Sequence, residues 1–344
     1  MEKSVLIAMS GGVDSSAAAV LLQGQGYRCD GAMLDLLPGG NDTSDARAVA
    51  QRLGMAFHVI DGAGLFAAEV MDRFVSEYCA GRTPNPCIDC NRCLKFGLFL
   101  DAALEMGYDY IATGHYARVE RDAASGRYRL LRGLDRRKDQ SYMLYQLKQH
   151  QLQHLLLPVG AYEKSAIRDF AREAGLINAD KSDSQDICFI PDGDYARFLC
   201  QYGGVEMREG DFVDRDGRVL GRHKGLPCYT TGQRKGLGVA AGRHVYVVCK
   251  NASDNTILLG DEADLYTDTL TACRVNWIAG AAPEGKVRCT AKTRYSQTEA
   301  GATAEALPDG RLRLTFDVPQ RAVTAGQAVV LYDGEEVLGG GTIE

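Results

Sequence analysis

The feature that most constrains the fold is the alternation of apolar and amphipathic segments in the first 203 residues. Short apolar runs such as "SVLIAM", "CDGAMLDLL" and "FHVI" are typical of buried strands, and segments with helical periodicity separate them. Strands that alternate with helices form a parallel sheet with crossover helices on its faces. The sequence therefore predicts an N-terminal α/β domain with a doubly wound parallel sheet over residues 1–203. Within it we expect a further strand in "DYIATGHYARV" and a helix over about residues 140–156.

The pattern changes from about Val205 to short β-rich runs between glycine turns. Such spacing is typical of small β domains and barrels. A chain of 344 residues is long enough for two or three domains, because single domains run about 100 to 200 residues. We therefore predict a small β-rich central domain over residues 204–266 and a C-terminal β-barrel over residues 267–344.

Composition argues for a cytoplasmic protein without a membrane partner. The chain is 45% apolar and 24% charged, as in soluble globular proteins. Only five apolar residues stand between Ser4 and Ser10, fewer than the apolar core of a signal peptide, and no segment approaches the length of a membrane span. In a reducing compartment we expect the 11 cysteines to be thiols, metal ligands or transient catalytic disulfides.

Charge is unevenly distributed along the chain. The net charge of −6 argues against nucleic acid as a partner, yet the stretch from Arg118 to Lys138 holds eight basic and three acidic residues, a local net of +5. Phosphate binding requires local positive potential. Taken alone, this stretch is better interpreted as a solvated β-hairpin, with an RNA-binding surface as the alternative.

A phosphate-binding loop is predicted where the first strand meets the first helix, in "VLIAMSGGVDSS". Gly11 and Gly12 let the backbone approach an anion closely, and the N–H groups that begin the helix can hold a pyrophosphate together with the Ser10 and Ser15 hydroxyls. Asp14 is expected to hold the accompanying Mg²⁺. No lysine follows the glycines, so this is not a Walker loop.

Three cysteines are spaced two residues apart in "TPNPCIDCNRCLKF". Zinc and iron–sulfur sites both need a fourth ligand, and no further cysteine lies at suitable spacing. Pro84 and Pro86 favour an extended chain up to Cys87, with a helix from about Asn91. Cys93 is then interpreted as a small buried hydrophobe at the start of that helix.

These motifs resemble a known family when they are taken together. The SGGxDS loop is similar to that of the PP-loop ATP pyrophosphatases, which split ATP into AMP and pyrophosphate while adenylating a carbonyl oxygen. Along nearly its whole length the chain resembles the tRNA-specific 2-thiouridylases, which replace the C2 oxygen of the wobble uridine with sulfur. The resemblance lies in "MSGGVDSS", "GRTPNPCIDCNRCLKF", "ATGHYAR", "KDQSYML", "KSDSQDICFI", "TTGQRKGLG" and "RYSQ".

The resemblance implies a two-cysteine reaction. Cys90 is similar to the family nucleophile, and Cys188 to the cysteine that carries a persulfide. In that scheme the terminal sulfur on Cys188 attacks C2 of the adenylated uracil, and Cys90 then attacks the inner sulfur, which leaves a Cys90–Cys188 disulfide. A variant of the scheme has Cys90 release sulfide first. Either form requires a thiolate, so we expect nearby positive charge or a helix N-terminus to favour ionisation.

The resemblance also assigns the binding residues. Those that would contact ATP are Ala8, Met9, Ser10, Gly11, Gly12, Val13, Asp14, Ser15, Met33 and Gly114. Those that would face the target base are Asn85, Pro86 and Cys87. Those that would contact the rest of the tRNA are His115, Lys138, Asp139, Gln140, Arg294, Tyr295 and Gln327. The partners implied are tRNAs for Lys, Glu and Gln, and a cysteine desulfurase or sulfur-carrier protein that loads Cys188.

One position departs from the family. Some relatives carry an aspartate, a proposed acid/base, where this chain has Cys87. Cys87, Cys90 and Cys188 could alternatively hold a [4Fe–4S] cluster with one open iron, although two cysteines complete the cycle without a cofactor. Two further alternatives are a PP-loop ligase with a nitrogen nucleophile, which has no use for the cysteine pair, and a metal-stapled RNA-binding module, which has no use for the phosphate loop.

Overall fold

The computed structural model of the chain describes residues 2–37, 39–181 and 187–344. Strands and helices alternate over its first half, and strands dominate after residue 209. Within the described ranges the strands are β1 (Ser4–Ala8), β2 (Arg28–Asp35), β3 (Phe57–Asp61), β4 (Tyr110–Ala112), β5 (Ala117–Arg121), β6 (Tyr128–Arg132), β7 (Leu155–Leu156), β8 (Gly210–Val213), β9 (Val219–His223), β10 (Tyr246–Asn251), β11 (Thr256–Gly260), β12 (Tyr266–Trp277), β13 (Lys286–Lys292), β14 (Ala300–Ala306), β15 (Leu312–Arg321), β16 (Ala328–Asp333) and β17 (Glu336–Ile343).

Helices of three kinds connect these strands. The α-helices in the described residues are α1 (Val13–Gly24), α2 (Ser44–Arg52), α3 (Ala63–Phe66), α4 (Arg73–Cys79), α5 (Pro86–Cys90), α6 (Phe99–Glu105), α7 (Gln149–Gln153), α8 (Lys164–Glu173) and α9 (Tyr195–Gln201). Segments Ala67–Asp72 and Asn91–Leu98 are π-helical, and short 3₁₀ turns lie at Ser141–Leu144, Pro158–Ala161, Leu226–Cys228 and Glu262–Leu265. No helix in these ranges is both long and apolar enough to cross a membrane.

The N-terminal sheet confirms the predicted doubly wound α/β architecture. Its order is β3-β2-β1-β4-β7, and every neighbouring pair is parallel. The chain moves outward from β1 to β2 and β3 on one side, and to β4 and β7 on the other. The crevice beyond the carboxyl ends of β1 and β4 is therefore the topological switch point, where open α/β sheets bind their ligands.

Strand β1 shows why this sheet is buried on both faces. Val5 and Ile7 pack in one hydrophobic cluster with Leu22 of α1, whereas Leu6 packs in another with Phe99 of α6. All three strand residues are fully buried. Alternate side chains of a strand point to opposite faces, so a continuous apolar run fits a sheet that is covered by helices on both sides.

The remaining strands form a small sheet and a barrel. The small sheet has the order β10-β11-β8-β9 around a core that includes Phe212, Val247 and Ile257. The barrel runs β12-β15-β14-β13-β16-β17 and closes by antiparallel pairing of β17 with β12. The predicted C-terminal barrel is confirmed as an architecture, while the exact boundaries at residues 203 and 267 stay predictions.

Three local expectations were wrong. We expected "DYIATGHYARV" to form one strand, but β4 ends at Ala112 and β5 pairs with β6 in a hairpin that joins the barrel sheet through β17. We expected helix over about residues 140–156, but this stretch holds a 3₁₀ turn, the short α7 and β7. The chain also turns helical at Pro86 rather than near Asn91, because proline is favoured as the first residue of a helix.

Candidate active site

The loop after β1 has the geometry of an anion-binding turn. Gly11 has φ +72°, a left-handed conformation that favours glycine, and Gly12 is extended and precedes α1. The Ser15 hydroxyl accepts a hydrogen bond from the Ser10 N–H at 3.3 Å and donates to the Gly12 carbonyl at 3.1 Å. The loop is thus held in a fixed shape around the N-terminus of α1, which favours negative charge.

Asn178 supports this loop from outside the motif. Its buried side-chain amide donates to the Gly11 carbonyl at 3.0 Å and to the Ser16 hydroxyl at 2.9 Å. A second chain segment, about 165 residues away, therefore fixes the loop. Sequence reasoning missed Asn178, since "LINAD" carries no motif that would have marked it.

Asp14 is paired with a lysine that sequence reasoning also missed. Lys164 Nζ donates to both carboxylate oxygens of Asp14 at 2.7 Å, and the Tyr116 hydroxyl donates to one of them at 2.7 Å. Lys164 begins α8 and is buried. With Lys164 in that place the carboxylate charge is balanced without an ion, so the predicted Mg²⁺ ligand does not present an unpaired carboxylate. The assignment of Asp14 to Mg²⁺ stays a prediction.

The other residues predicted to contact ATP surround the same crevice. Met9, Val13 and Met33 belong to one buried cluster beneath the loop, and Ala8 is the last residue of β1. Gly114, after β4, lies so close to the loop that a Cβ there would stand 2.7 Å from the Asp14 carbonyl carbon and the Ser15 nitrogen. Only glycine fits this contact without a shift of the backbone, which explains the residue at this position.

Helix α5 carries the first two cysteines of the C-x2-C-x2-C stretch. Asn85 is extended, Pro86 is the first helical residue, and Cys87 and Cys90 follow at a spacing of three, which places them on one helix face. Cys87 is exposed and Cys90 is buried. The π-helical segment Asn91–Leu98 continues the helix directly, so the cysteines lie just before a change in helical pitch.

The "KDQSYML" stretch supports this helix. Met143, in the 3₁₀ turn Ser141–Leu144, accepts from the Asn91 side chain through its carbonyl at 3.2 Å and from the Asn85 side chain through its sulfur at 3.5 Å. Both asparagines flank the cysteine pair. The motif therefore positions the helix that carries the cysteines, in addition to any contact that it makes with RNA.

Cys188 lies near the same pair although it is 98 residues from Cys90 in the sequence. Its charge raises the pKa of Cys90, and the charge of Cys87 raises the pKa of Cys188. Such mutual interaction places the three sulfur atoms in one electrostatic neighbourhood. Residues 182–186 of the "KSDSQDICFI" motif lie outside the described residues.

The environment of these thiols opposes ionisation. Burial is the main cause that raises the pKa of Cys90 to about 12, and desolvation also raises the pKa values of Cys87 and Cys188. The charge of Lys95 lowers the pKa of each of the three. At neutral pH the thiols are therefore mainly protonated, and Lys95 is a group that works against this effect.

The side chains of Asp89 and Cys93 contact charged residues outside the cysteine pair. The Asp89 carboxylate lies 3.1 Å from Arg73 and 3.6 Å from Arg92, and burial raises its pKa to about 6. Cys93 is half-buried, and its thiol donates to Glu69 at 3.4 Å. Among the described residues, no three His, Cys, Asp or Glu side chains are grouped closely enough to hold a metal ion.

His115 connects the phosphate loop with α5, the helix of Cys87 and Cys90, which we call the thiol helix. Its Nδ1 lies 2.7 Å from the Thr113 hydroxyl, its ring centroid lies 5.6 Å from that of Phe96, and it is buried. Burial, followed by the charge of Lys95, lowers its pKa well below the usual value. His115 is therefore a neutral imidazole in this state. Its neighbour Gly114 contacts the phosphate loop, so this segment spans the two halves of the site.

The other residues predicted to bind tRNA have protein partners in this structure. Asp139 is buried and accepts from the Gly133 N–H and from Ser141, and Gln140 accepts from the Tyr116 N–H at 2.9 Å. Lys138 is half-buried. These contacts hold the turn after β6 in place, so the predicted role in tRNA binding remains untested for all three.

The barrel residues bridge the units of the protein. Arg294 donates to the carbonyls of Thr231 and Ala322, at 3.2 and 3.0 Å. Gln327 donates to the Thr83 carbonyl at 2.8 Å, and Thr83 lies just before the thiol helix. Tyr295 is 37% exposed, so its ring is accessible to a partner. Arg294 and Gln327 thus connect the barrel to its neighbours, and a contact with tRNA stays a prediction.

The basic stretch is largely neutralised by carboxylates of the barrel. Arg118 and Arg136 both pair with Glu335, and Arg129 pairs with Glu336. Arg132 pairs with Glu299. The hairpin β5–β6 is therefore docked on the barrel through ion pairs, which reduces the positive potential that its sequence implies.

Family models match the chain in three consecutive parts. A model described as a tRNA methyl transferase HUP domain matches residues 3–192, one described as a tRNA methyl transferase PRC-barrel domain matches residues 196–261, and one described as an aminomethyltransferase beta-barrel domain matches residues 267–343. These parts follow the order of the α/β domain, the small sheet and the barrel.

Curated relatives match the chain from end to end. The tRNA-specific 2-thiouridylases MnmA of Acetivibrio thermocellus and Clostridioides difficile are both 46% identical to it, over 357 and 356 residues, and each match covers 100% of this chain and 99% of the relative. The protein of the same name from Moorella thermoacetica is 48% identical over 354 residues, which cover 98% of this chain and 99% of that protein. The chain therefore belongs to the tRNA-specific 2-thiouridylase family.

Proposed function

We propose that this protein is a tRNA sulfurtransferase that uses ATP to convert the wobble uridine of tRNA to 2-thiouridine. Family membership supports the reaction class. The observation that carries the assignment of residues is the proximity of Cys90 and Cys188, two cysteines far apart in the sequence, beside a segment that also contacts the phosphate loop. A protein that only bound RNA would need neither arrangement.

The first half-reaction activates the base. The uracil O2 attacks the α-phosphate of ATP, pyrophosphate leaves, and the resulting adenylate makes O2 a leaving group. The loop from Ser10 to Ser15 and the N-terminus of α1 are suited to hold the pyrophosphate. Lys164 is the cation nearest Asp14, and a Mg²⁺ ion, when bound, would supply further positive charge to the phosphates.

The second half-reaction transfers sulfur. The terminal sulfur of a persulfide on Cys188 attacks C2 and displaces AMP, which leaves the base joined to Cys188 through two sulfur atoms. The Cys90 thiolate attacks the Cys188 sulfur, so that the S–S bond to the base breaks and 2-thiouridine departs. The products are thiolated tRNA and a Cys90–Cys188 disulfide, which an external dithiol must reduce before the next cycle.

The partners follow from this chemistry. A cysteine desulfurase or a sulfur carrier would load Cys188, which is exposed. The tRNAs expected as substrates are those for Lys, Glu and Gln, and the compartment is the cytoplasm, where these tRNAs and ATP are present. Asn85, Pro86 and Cys87 are the residues that we place against the extruded base, since enzymes that modify a base take it out of the stack.

The test is a single-turnover thiolation assay in iron-free buffer. Protein treated with a persulfide-generating desulfurase is mixed with ATP and unmodified tRNA, and pyrophosphate release and 2-thiouridine are both measured. We expect Cys90→Ser and Cys188→Ser to abolish thiolation while pyrophosphate release continues, because the cysteines act after adenylation. Cys87→Ser should retain thiolation.

Cys79→Ser is the matched control, because Cys79 is an exposed thiol at the end of α4. It should behave as the parent protein. Strict dependence on iron, with Cys87→Ser as inactive as the other two variants, would contradict the persulfide route and favour a cluster held by the three cysteines. Ammonia incorporation in place of sulfur would contradict the thiolation reaction itself.

A further inference from the structure

Lys95 is a half-buried cation in the middle of the π-helical segment Asn91–Leu98. Nearby cations are used in ion pairs: Arg92 with Glu69, Arg73 with Asp89, and Lys164 with Asp14. For Lys95, in contrast, the described part of the chain offers no hydrogen bond or ion pair. A half-buried ammonium keeps contact with water, so Lys95 can stay unpaired in the free protein and remain available to an anion that forms beside it.

The π-helix determines where this ammonium lies. In an α-helix, with 3.6 residues per turn, position 95 would lie about 140° around the helix axis from position 90. A π-helix forms its hydrogen bonds between residues five apart, as in the bond from the Phe99 N–H to the Leu94 carbonyl. That pitch brings position 95 back toward the side of position 90. The π-helix therefore places Lys95 on the Cys90 side of the helix.

The groups around Lys95 come from three parts of the chain. They are Cys87 and Cys90 on α5, Cys188 from the segment after the described gap, and His115 after β4. The charge of Lys95 lowers the pKa of each of these groups. The ionisable groups that face Cys90 itself are Lys95, Cys188, Cys87 and Cys93, and Lys95 is the cation among them.

We propose that Lys95 is a positioning residue whose ammonium stabilises the anionic sulfur of Cys90 and of the persulfide on Cys188 during sulfur transfer. This inference rests on the proposed function for the roles of the two cysteines. The Cys90 proton leaves to solvent, and the negative charge that forms on sulfur is compensated by a cation that no carboxylate has already neutralised.

The proposal explains two features that otherwise stand apart. Cys90 is buried, which keeps water away from an adenylated base but suppresses the thiolate. Lys95 has no anion to stabilise in the resting protein among the described residues, and it gains one when the sulfur anion forms. The cation therefore offsets the effect of burial on Cys90 only in the anionic state of the reaction, which is the state that the enzyme must stabilise.

The test measures the thiol directly. The rate of iodoacetamide alkylation at Cys90 is followed against pH by mass spectrometry in Lys95→Met, Lys95→Arg and the parent protein. We expect Lys95→Met to move the profile to higher pH by about one pKa unit, which corresponds to about tenfold slower alkylation at a fixed pH below the midpoint. Lys95→Arg should stay near the parent profile, because it keeps the charge.

Arg92→Met is the matched control, since it removes a cation from the same helical segment on the side of Glu69 and Asp89. It should leave the Cys90 profile in place. An unchanged profile in Lys95→Met, or an equal shift in Arg92→Met, would overturn the proposal. Urea unfolding shows whether Lys95→Met is still folded. If it is not, Lys95→Gln, which also removes the charge, is used in its place for the alkylation profile.

Single-turnover thiolation separates this inference from the function on which it rests. In Lys95→Met we expect the pH profile of sulfur transfer to move upward with the alkylation profile, while pyrophosphate release is unchanged. If the parent protein releases pyrophosphate but forms no 2-thiouridine at any pH, the proposed function fails. The alkylation profiles would still decide whether Lys95 stabilises the Cys90 thiolate.

Discussion

The phosphate loop and the thiol helix treat charge in opposite ways. In the loop, Asp14 is balanced by Lys164 and Tyr116, and the amide of Asn178 fixes the backbone. In the thiol helix, Cys90 is buried as a neutral thiol and Lys95 has no anion beside it in the described residues. The charge of Asp14 in the loop is thus balanced before ATP binds, whereas the charge of Lys95 in the helix is balanced only when a sulfur anion forms beside it.

This difference indicates what each region must do. A loop that binds a highly charged phosphate chain benefits from a fixed shape, because preorganised donors need no rearrangement during the reaction. A thiol that must ionise only after the base is activated benefits from surroundings that keep it protonated until then. Substitutions at Asp14, Gly114, Gln327 and Lys138 test this contrast, in decreasing order of expected effect.

Asp14→Ala should have the largest effect, because it removes the carboxylate that pairs with the buried Lys164. Loss of one partner of a buried pair costs about 3–5 kcal/mol. We expect AMP release in the presence of unmodified tRNA to fall by at least about 100-fold and the urea midpoint to decrease. Asp169→Ala removes an exposed carboxylate from α8, the helix of Lys164, and should change neither. Near-parental AMP release from Asp14→Ala would contradict the assignment of the loop.

Gly114→Ala should distort the loop from the side of β4. The added Cβ would meet backbone atoms of Asp14 and Ser15 at 2.7 Å, and overpacking of this kind costs about 1–3 kcal/mol. ATP affinity, measured by calorimetry, should therefore fall together with stability. Gly24→Ala, at the other end of α1, meets nothing within 4 Å and should leave both unchanged. Equal ATP affinity in the two variants would show that the loop tolerates movement.

Gln327→Ala tests whether the barrel positions the thiol helix or binds RNA. Loss of the hydrogen bond to the Thr83 carbonyl should cost about 1 kcal/mol of stability and should slow sulfur transfer more than pyrophosphate release. Gln320→Ala, which breaks a contact within β15, serves as the control. If tRNA affinity falls while stability and transfer from bound tRNA are unaltered, Gln327 is an RNA contact instead.

Lys138→Ala should give the smallest effect. If Lys138 meets a tRNA phosphate, the plot of log affinity against log salt concentration should become shallower by about one unit or less. Arg129→Ala provides a comparison from the same basic stretch, because Arg129 pairs with Glu336 and shows what removal of a paired cation does to the slope. An unchanged slope in Lys138→Ala would contradict a phosphate contact at this residue.

The architecture was predictable because it depends on patterns that the sequence carries locally. Apolar runs such as Val5 to Ile7 predict a buried strand wherever they occur, and glycine turns after residue 205 predict short strands. The family resemblance is likewise confirmed by the full-length relatives. The site residues taken from the resemblance stay predictions, although the structure brings Cys90 and Cys188 into one neighbourhood.

What the sequence could not reveal depends on contacts between distant segments. Asn178 and Lys164 lie more than 145 residues from the loop that they support, and no local pattern marks them. The π-helical pitch that places Lys95 on the Cys90 side depends on packing, since the same residues fit an α-helical periodicity. The hairpin β5–β6 was predicted as a hairpin, but its docking on the barrel requires Glu335 and Glu336 from the end of the chain.

That docking has a consequence during protein synthesis. Arg118 finds Glu335 only 217 residues later, and a ribosome that adds about 5–20 residues per second needs roughly 10–40 s to cover that distance. Throughout this interval the emerging hairpin keeps its net charge of +5, next to a ribosome made largely of RNA. A translation pause before residue 335 would therefore prolong the time in which the nascent hairpin adheres to RNA, and emergence of Glu335 and Glu336 would end it.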